Sequence, residues 1–299
     1  MQIDNHFQSQ MSVLLAGVLW SMGGPLIRLL DEASEWQFLC YRSVSMLLIL
    51  IVILKWKNQN GLLGSFCKAG WTGVVGGIFL ALAFIAFLFS ITHTTVANTL
   101  FMMSTSPFLA ALMSWLLLRE RLSRVQWVSM TCGGVGIGIM ISDGVVSDGL
   151  FGIVMGLTTA LGFAAFSTSL RFGKSSDMLP TVCYAGVFSA IGSAIVATVI
   201  GQGLQIPIFD VGIAVVYGSI GMGLGMVFFI IGSRRIDAAE LTLLSLSEVV
   251  LGPIWALLFF AEYPSFLTVV GGSILLMSLI YQSLAGARLR NQALKPNST

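Results

Sequence analysis

Two stretches decide how this chain is read: VANTLFMMSTSPFLAALMSWLLLRERLSRVQWV at residues 96–128 and AAELTLLSLSEVVLGPIWALLFFAEYPSFLTVV at residues 238–270. Each is a long apolar run that ends on a glutamate and meets a serine three residues later. Offset by 142 residues, Ala97 falls on Ala239, Leu109 on Leu251, Leu116 on Leu258, Glu120 on Glu262, Ser123 on Ser265 and Val128 on Val270. Upstream, Gly76 falls on Gly218 and Phe87 on Phe229. A single match means little in a chain so rich in Gly, Leu and Val. A glutamate closing the same apolar run in both copies is more telling.

Working outward, the chain resolves into ten apolar runs, at 11–30, 36–54, 69–91, 96–118, 125–142, 149–170, 179–201, 209–232, 238–260 and 265–285. Each is near the roughly 20 residues that a helix needs to cross the hydrocarbon core. The chain is 56% hydrophobic and 9% charged, with a mean hydropathy of +0.92. A water-soluble domain carries about 25% charged residues, so most of this surface faces lipid. The runs are continuous rather than alternating, which selects helices over a barrel, because lipid demands that backbone groups be satisfied within each segment. Many of the 33 glycines read as points of close helix packing.

The basic residues alternate with the connections. The second, fourth, sixth and eighth connections and the C-terminal tail hold thirteen of the fifteen Lys and Arg residues: Lys55, Lys57, Lys68, Arg119, Arg121, Arg124, Arg171, Lys174, Arg234, Arg235, Arg288, Arg290 and Lys295. Arg28 alone lies on the other side, and Arg42 lies inside a span. The positive-inside rule puts both termini in the cytoplasm, and an even number of spans independently requires the termini to share a side. With no basic region before Met11, the first span is expected to be retained rather than cleaved.

The expected architecture is an all-α integral membrane protein of ten transmembrane helices. It divides into a first repeat at 11–142, a second at 149–285 and a cytoplasmic tail at 286–299. Five spans per half is an odd number, so the second half sits inverted relative to the first. Inverted repeats of this kind are characteristic of secondary transporters, in which a central site is exposed to each side in turn.

These residues resemble the EamA family of the drug/metabolite transporter superfamily over nearly the whole chain. In the first half the resemblance rests on Leu19-Trp20, Tyr41-Arg42, Phe87-Leu88-Phe89-Ser90, Val96-Ala97-Asn98, Ser106-Pro107, Arg119-Glu120-Arg121-Leu122 and Gln126-Trp127. In the second it rests on Ala238-Ala239-Glu240, Ser247-Glu248, Gly252-Pro253-Ile254-Trp255, Ala261-Glu262 and Gly271-Gly272. Two departures are Val249, where a proline often follows the glutamate, and Gly162, where the first repeat has Trp20. The resemblance implies a bacterial inner-membrane carrier with a central cavity, acting as an antiporter or exporter, and leaves the cargo unnamed.

Glu248, near the middle of the ninth span, is the sharpest candidate for chemistry. An ionised carboxylate there costs at least a few kcal/mol, so it must pair, bind a cationic group or take up a proton; a structural hydrogen bond is the alternative. Arg42 reads either as a ligand for a carboxylate on the cargo or as a side chain snorkelling to the interface. Together the two would suit a zwitterion such as an amino acid. Thr105 and Ser106, with Ser104 and Pro107, form a polar patch in the fourth span where Pro107 frees a carbonyl. Pro253 is placed to act similarly in the ninth. Asn98 and Glu240, equivalent in the two repeats, either cap their helices or gate the cavity. Trp20, Tyr41, Tyr184 and Trp255 are candidates for its wall. Trp36, Trp56, Trp71 and Trp127, at span ends, read as interface anchors.

The expected partners are a small-molecule solute, protons and membrane lipids, with no cofactor, no metal and no nucleic acid, in a monomer or homodimer. Cys40, Cys67, Cys132 and Cys183 form no metal-ligand pattern, and no Walker loop is present. A membrane-embedded enzyme would need a nucleophile with its base, or a metal cluster, at bilayer depth. A passive channel would need a continuous polar stripe, where the sequence has isolated patches. The topology is tested by fusing reporters active on only one side of the membrane to each terminus. Both fusions should report the cytoplasm, and opposite sides for the two ends would remove the inverted pairing.

Overall fold

The computed structural model describes residues 2–57, 62–146, 149–172, 178–233, 236 and 238–293. Among them, ten helical spans are long and apolar enough to cross a membrane: His6–Arg28, Glu35–Trp56, Ala69–His93, Val96–Leu117, Arg124–Ser142, Leu150–Phe172, Leu179–Val199, Ile208–Ser233, Glu240–Phe260 and Phe266–Gly286. They match the runs read from the sequence to within a few residues. No strand occurs among the described residues. Lys174, Arg234, Arg235 and Lys295 lie outside them. Large apolar side chains such as Leu48, Ile191, Leu258 and Met277 stay exposed, as lipid-facing positions do. The first, third, fifth, seventh and ninth connections emerge on one face, here the odd face; the opposite ends of the spans, with Gln2 and Ala293, mark the even face.

The packing repeats with the sequence. The third span packs on the sixth as the eighth packs on the first. The third packs on the seventh as the eighth packs on the second, and the fourth on the sixth as the ninth on the first. The second and seventh spans pair with each other, as do the fifth and tenth, each pair mapping onto itself. In the last of these the backbones nearly touch, since a Cβ on either Gly136 or Gly271 would lie 2.5 Å from the other's carbonyl oxygen. The result is two intertwined bundles, of spans three, four and six against spans eight, nine and one, each drawing helices from both repeats.

The two corners after the fourth and ninth spans are built alike. Arg119 and Ala261, one repeat apart, adopt left-handed backbone with φ of 56° and 51°. The next residue's amide then reaches six residues back, Glu120 to the Ser114 carbonyl and Glu262 to the Ala256 carbonyl, both at 3.3 Å, closing the helix end. Ser123 and Ser265 cap the helices that follow by accepting the amides of Gln126 (3.2 Å) and Thr268 (3.0 Å).

Three spans are interrupted. The first breaks at Met22, between Gln2–Ser21 and Gly23–Arg28. The fourth breaks at Ser104 and Thr105, between Val96–Met103 and Ser106–Leu118, with proline in the first turn of the second piece. The eighth contains a π-helical segment, Tyr217–Leu224, a geometry often found at functional sites. Hydroxyls fill the breaks: Ser21 donates to the Val18 carbonyl (2.8 Å), Ser104 to Phe101 and Thr105 to Met102 (both 2.7 Å). The ninth span, by contrast, runs unbroken through Pro253.

Left-handed backbone disfavours Cβ-bearing residues by about 1–2 kcal/mol, and β-branched ones most. Ala261→Val should therefore lower the melting temperature in detergent, whereas Ala261→Gly should leave it equal or higher. Equal melting of all three proteins would show that this corner bears no strain.

Candidate functional site

The second span carries Arg42 into the centre of the protein. The residue is 1% exposed and its guanidinium carbon lies 5.3 Å from the Phe84 ring centre and 5.8 Å from that of Tyr217. Both rings present their faces to the cation. Neither terminal nitrogen meets a hydrogen-bond acceptor at bonding geometry. Tyr217, also 1% exposed, opens the π-helical segment and stacks on Phe38, 6.5 Å centre to centre.

Glycines bring the π-helical segment this close. A Cβ on Gly218 would strike the Arg42 carbonyl oxygen and Ser45 Oγ, and one on Gly23, just past the break in the first span, would strike the Tyr217 hydroxyl. Ser45 Oγ binds the Arg42 and Ala214 carbonyls (2.9 and 3.2 Å), tying the second span to the eighth. Arg42 is thus held by backbone-to-backbone contact.

Glu248 is carried by the ninth span, near enough to Tyr217 to act on it electrostatically. It is 9% exposed and makes no hydrogen bond or ion pair among the described residues. Its neighbour Ser247 is pressed against Gly17 of the first span. At 1.5 Å per residue, Arg42 is about 10 Å from the odd end of its span and Tyr217 about 14 Å from the odd end of its own, whereas Glu248 is about 12 Å from the even end of its span. The three form a ladder along the membrane normal.

The remaining sequence candidates fall in several places. Trp20 packs 5.4 Å from Phe229 and against Gly225, with its buried indole nitrogen lacking a hydrogen-bond partner. Trp255 donates to Ser21 Oγ at 3.1 Å, joining the ninth span to the break in the first. Thr105 and Ser106 sit at the break in the fourth. Tyr41 instead donates to the Leu204 carbonyl (2.7 Å) in the seventh connection. Tyr184 packs between Phe66 and Phe188, toward the even face.

Asn98 does not cap its helix, a role taken by Thr95; its side chain bonds Thr94 (3.0 Å) and Thr268 (2.7 Å), joining the fourth span to the tenth. Together with Arg28, Glu262 and Tyr263 it lines a cleft of about 430 Å³ on the odd face. Glu240 is bound by Gln10 and lies 3.4 Å from His6, joining the ninth span to the first at the even face. Among the described residues, no three His, Cys, Asp or Glu side chains gather as a metal site would require.

The model of the EamA-like transporter family matches this sequence twice, over residues 9–142 and 150–284. The chain belongs to that family. It is an integral membrane protein built for transport. An uncharacterized transporter of Helicobacter pylori is 28% identical over 205 residues, covering 65% of this chain and 67% of its own. Solute carrier family 35 member G1 of Homo sapiens is 23% identical and matches over 93% of this chain and 78% of its own. The pseudopaline exporter CntI of Pseudomonas aeruginosa is also 23% identical, over 69% and 72%. A solved crystal structure superposes with a TM-score of 0.65 at 16% identity, covering 94% of this chain and 98% of that one, which shows the shared fold.

In this EamA-like transporter, sequence reasoning passed over Tyr217. Hydropathy hides a tyrosine inside an apolar run. The available signal was the glycine series at 218, 221, 223 and 225 that follows it, which lets neighbouring backbones close in. Gly218→Ala should displace the π-helical segment from Arg42 and destabilise the protein by about 1–3 kcal/mol, the usual cost of overpacking. Gly212→Ala, with open space around its Cβ, is the control. Equal melting temperatures for the two variants would contradict the close approach.

Proposed function

We propose that this transporter is a secondary carrier for a small polar or amphipathic organic metabolite bearing both a carboxylate and a cationic group, such as an amino acid or related zwitterion, and that it exports this cargo from a bacterial cell in exchange for protons. The observation that carries the reading is that two buried charges, Arg42 and Glu248, have no ion-pair partner among the described residues. Stranding an uncompensated charge away from water costs several kcal/mol. Packing alone would be better served by apolar residues, so Arg42 and Glu248 fit a site that a charged guest completes. Arg42 takes the carboxylate in the fork geometry suited to it, Tyr217 and Phe84 wall the space between, and Glu248 takes the cationic group.

The axial spacing of the ladder favours a cargo whose charges are several bonds apart. Coupling follows from Glu248: a proton there competes with the cargo's cationic end, so protonation releases cargo and deprotonation readmits it. The alternation of basic residues supports an orientation with the even face and both termini in the cytoplasm and the odd face outside. The exporter among the relatives supports the outward direction. Exposure of the site to each side in turn, by motion of one bundle against the other, is the mechanism expected of inverted repeats.

The test is a thermal-shift screen of zwitterionic metabolites on the purified protein, repeated with Glu248→Gln and Arg42→Gln. A cargo at a hundredfold excess over its Kd should stabilise the native protein by about 2.7 kcal/mol and lose this effect in both variants. A metabolite that stabilises native and variant proteins equally would place the site elsewhere. Counterflow in proteoliposomes at several pH values then reads the coupling: exchange by the native protein should fall as the pH is lowered and Glu248 takes up a proton, and exchange that does not change with pH would remove Glu248 from the coupling.

A further inference from the structure

Each repeat ends its fourth span on a glutamate that pairs with an arginine closing a neighbouring span. Glu262 pairs with Arg28 on the odd face, through Arg28 Nε at 3.2 Å and a terminal nitrogen at 3.1 Å. Glu120 pairs with Arg171 on the even face, where one terminal nitrogen reaches both carboxylate oxygens at 2.8 Å. Glu120 and Glu262 are 142 residues apart and Arg28 and Arg171 are 143 apart, so the two pairs are counterparts under the repeat. Each lies within a single bundle: spans one and nine for the first pair, spans four and six for the second.

The pairs differ in what else they hold. On the odd face the pair reaches across to the other bundle. Glu262 Oε1 accepts the Val96 amide at 2.5 Å and Arg28 donates to the Thr94 carbonyl at 2.9 Å, so both partners grip the corner between the third and fourth spans. Asn98, bonded to Thr94 and Thr268, ties the same corner to the tenth span. One repeat later the equivalent groups are the Ala238 amide and the Ile236 carbonyl. Neither Glu120 nor Arg171 bonds them among the described residues; the remaining guanidinium contact is to Ser114 Oγ (2.9 Å), within their own bundle. The side chains follow suit, at 29% and 17% exposure for Arg28 and Glu262 against 54% and 47% for Arg171 and Glu120.

We propose that the two pairs are reciprocal latches, one per face, and that this structure holds the odd latch closed and the even latch open. In the opposite state Glu120 grips the amide of Ala238 and Arg171 the carbonyl of Ile236, while Glu262 and Arg28 release Val96 and Thr94. The corner geometry supports this use. The left-handed residue before each glutamate and the serine cap after it aim the carboxylate rigidly, so it engages or disengages only as its bundle moves. The inference rests on the alternating-access reading, but its test reads conformation without cargo. A failed metabolite screen and a failed latch are therefore separate results.

The experiment uses the full chain in lipid nanodiscs, with spin labels at His93 and Tyr263 on the odd face or at Ser233 and Arg121, which close the eighth span and follow the fourth, on the even face. Double electron–electron resonance should give a shorter odd-face distance than even-face distance in the native protein. Glu262→Gln should lengthen the odd-face distance by several ångströms and shorten the even-face one; Glu120→Gln should leave the odd face closed. Glu262→Gln distances equal to native, or both faces widening together, would overturn the latch. If that variant fails to fold, cysteines at the same two pairs of positions, with both latches intact, supply the second reading. A short bis-maleimide should join the odd-face pair at least tenfold faster than the even-face pair, and equal rates would overturn the proposal.

Discussion

Inside a bilayer no water is at hand to satisfy a polar group, so every interruption of a helix needs its own supply of hydrogen bonds. This constraint shapes the protein at each point where its spans depart from regular helix. The break in the first span has Ser21, and the break in the fourth has Ser104 and Thr105, each hydroxyl folding back onto a nearby carbonyl. The eighth span departs by a π-helical turn instead, which keeps its backbone bonded while shifting the register of Tyr217. Not every buried group is so supplied. The charge of Arg42 rests on two ring faces with both terminal nitrogens unbonded, and the Trp20 indole nitrogen and Ser247 hydroxyl are unbonded as well.

The repeat in the sequence does not coincide with the bodies in the structure. Spans three, four and six form one bundle and eight, nine and one the other, so each contains helices from both halves of the chain. The pairs two–seven and five–ten map onto themselves under the same symmetry. A contact that maps onto itself can be identical in a state and in its inverted counterpart, whereas a contact joining the two bundles at one face must be exchanged for its partner at the other. Near-touching backbones at Gly136 and Gly271 lie in a self-mapped pair, where close packing is compatible with either state. The polar joins that Glu262 and Arg28 make to Val96 and Thr94 lie between bundles, where alternating access would require contacts to be made and broken.

Hydropathy and charge alternation located all ten spans, because burial in lipid is a property of whole segments and survives in composition. The repeat was legible from Glu120 and Glu262, since carboxylates are scarce in this chain and each of these closes the same apolar run in its half. The interruption at Pro107 was legible for the same local reason. Pro253 lies within a continuous helix, where its missing N–H leaves the Val249 carbonyl without its helical partner but does not break the span. Tyr41 and Tyr184 looked central by position along their spans, but position does not give the direction a side chain faces. One is fixed to the seventh connection and the other to Phe66. Tyr217 was invisible because its importance comes from three other spans converging on it.

The charged residues break the symmetry that the scaffold keeps. One repeat from Arg42 stands Tyr184, and one repeat from Glu248 stands Ser106. Corners, caps and span pairings recur in both halves, but each buried charge occurs once. A symmetric scaffold makes the two inverted states alike in their packing. In the proposed carrier, any difference in how the two states hold a guest would come from groups without a counterpart, and Arg42 and Glu248 are such groups. Changing the charge at either position alters the guest's environment without altering the near-equivalence of the two packings. In the carrier proposed above, motion and recognition would then fall to different residues.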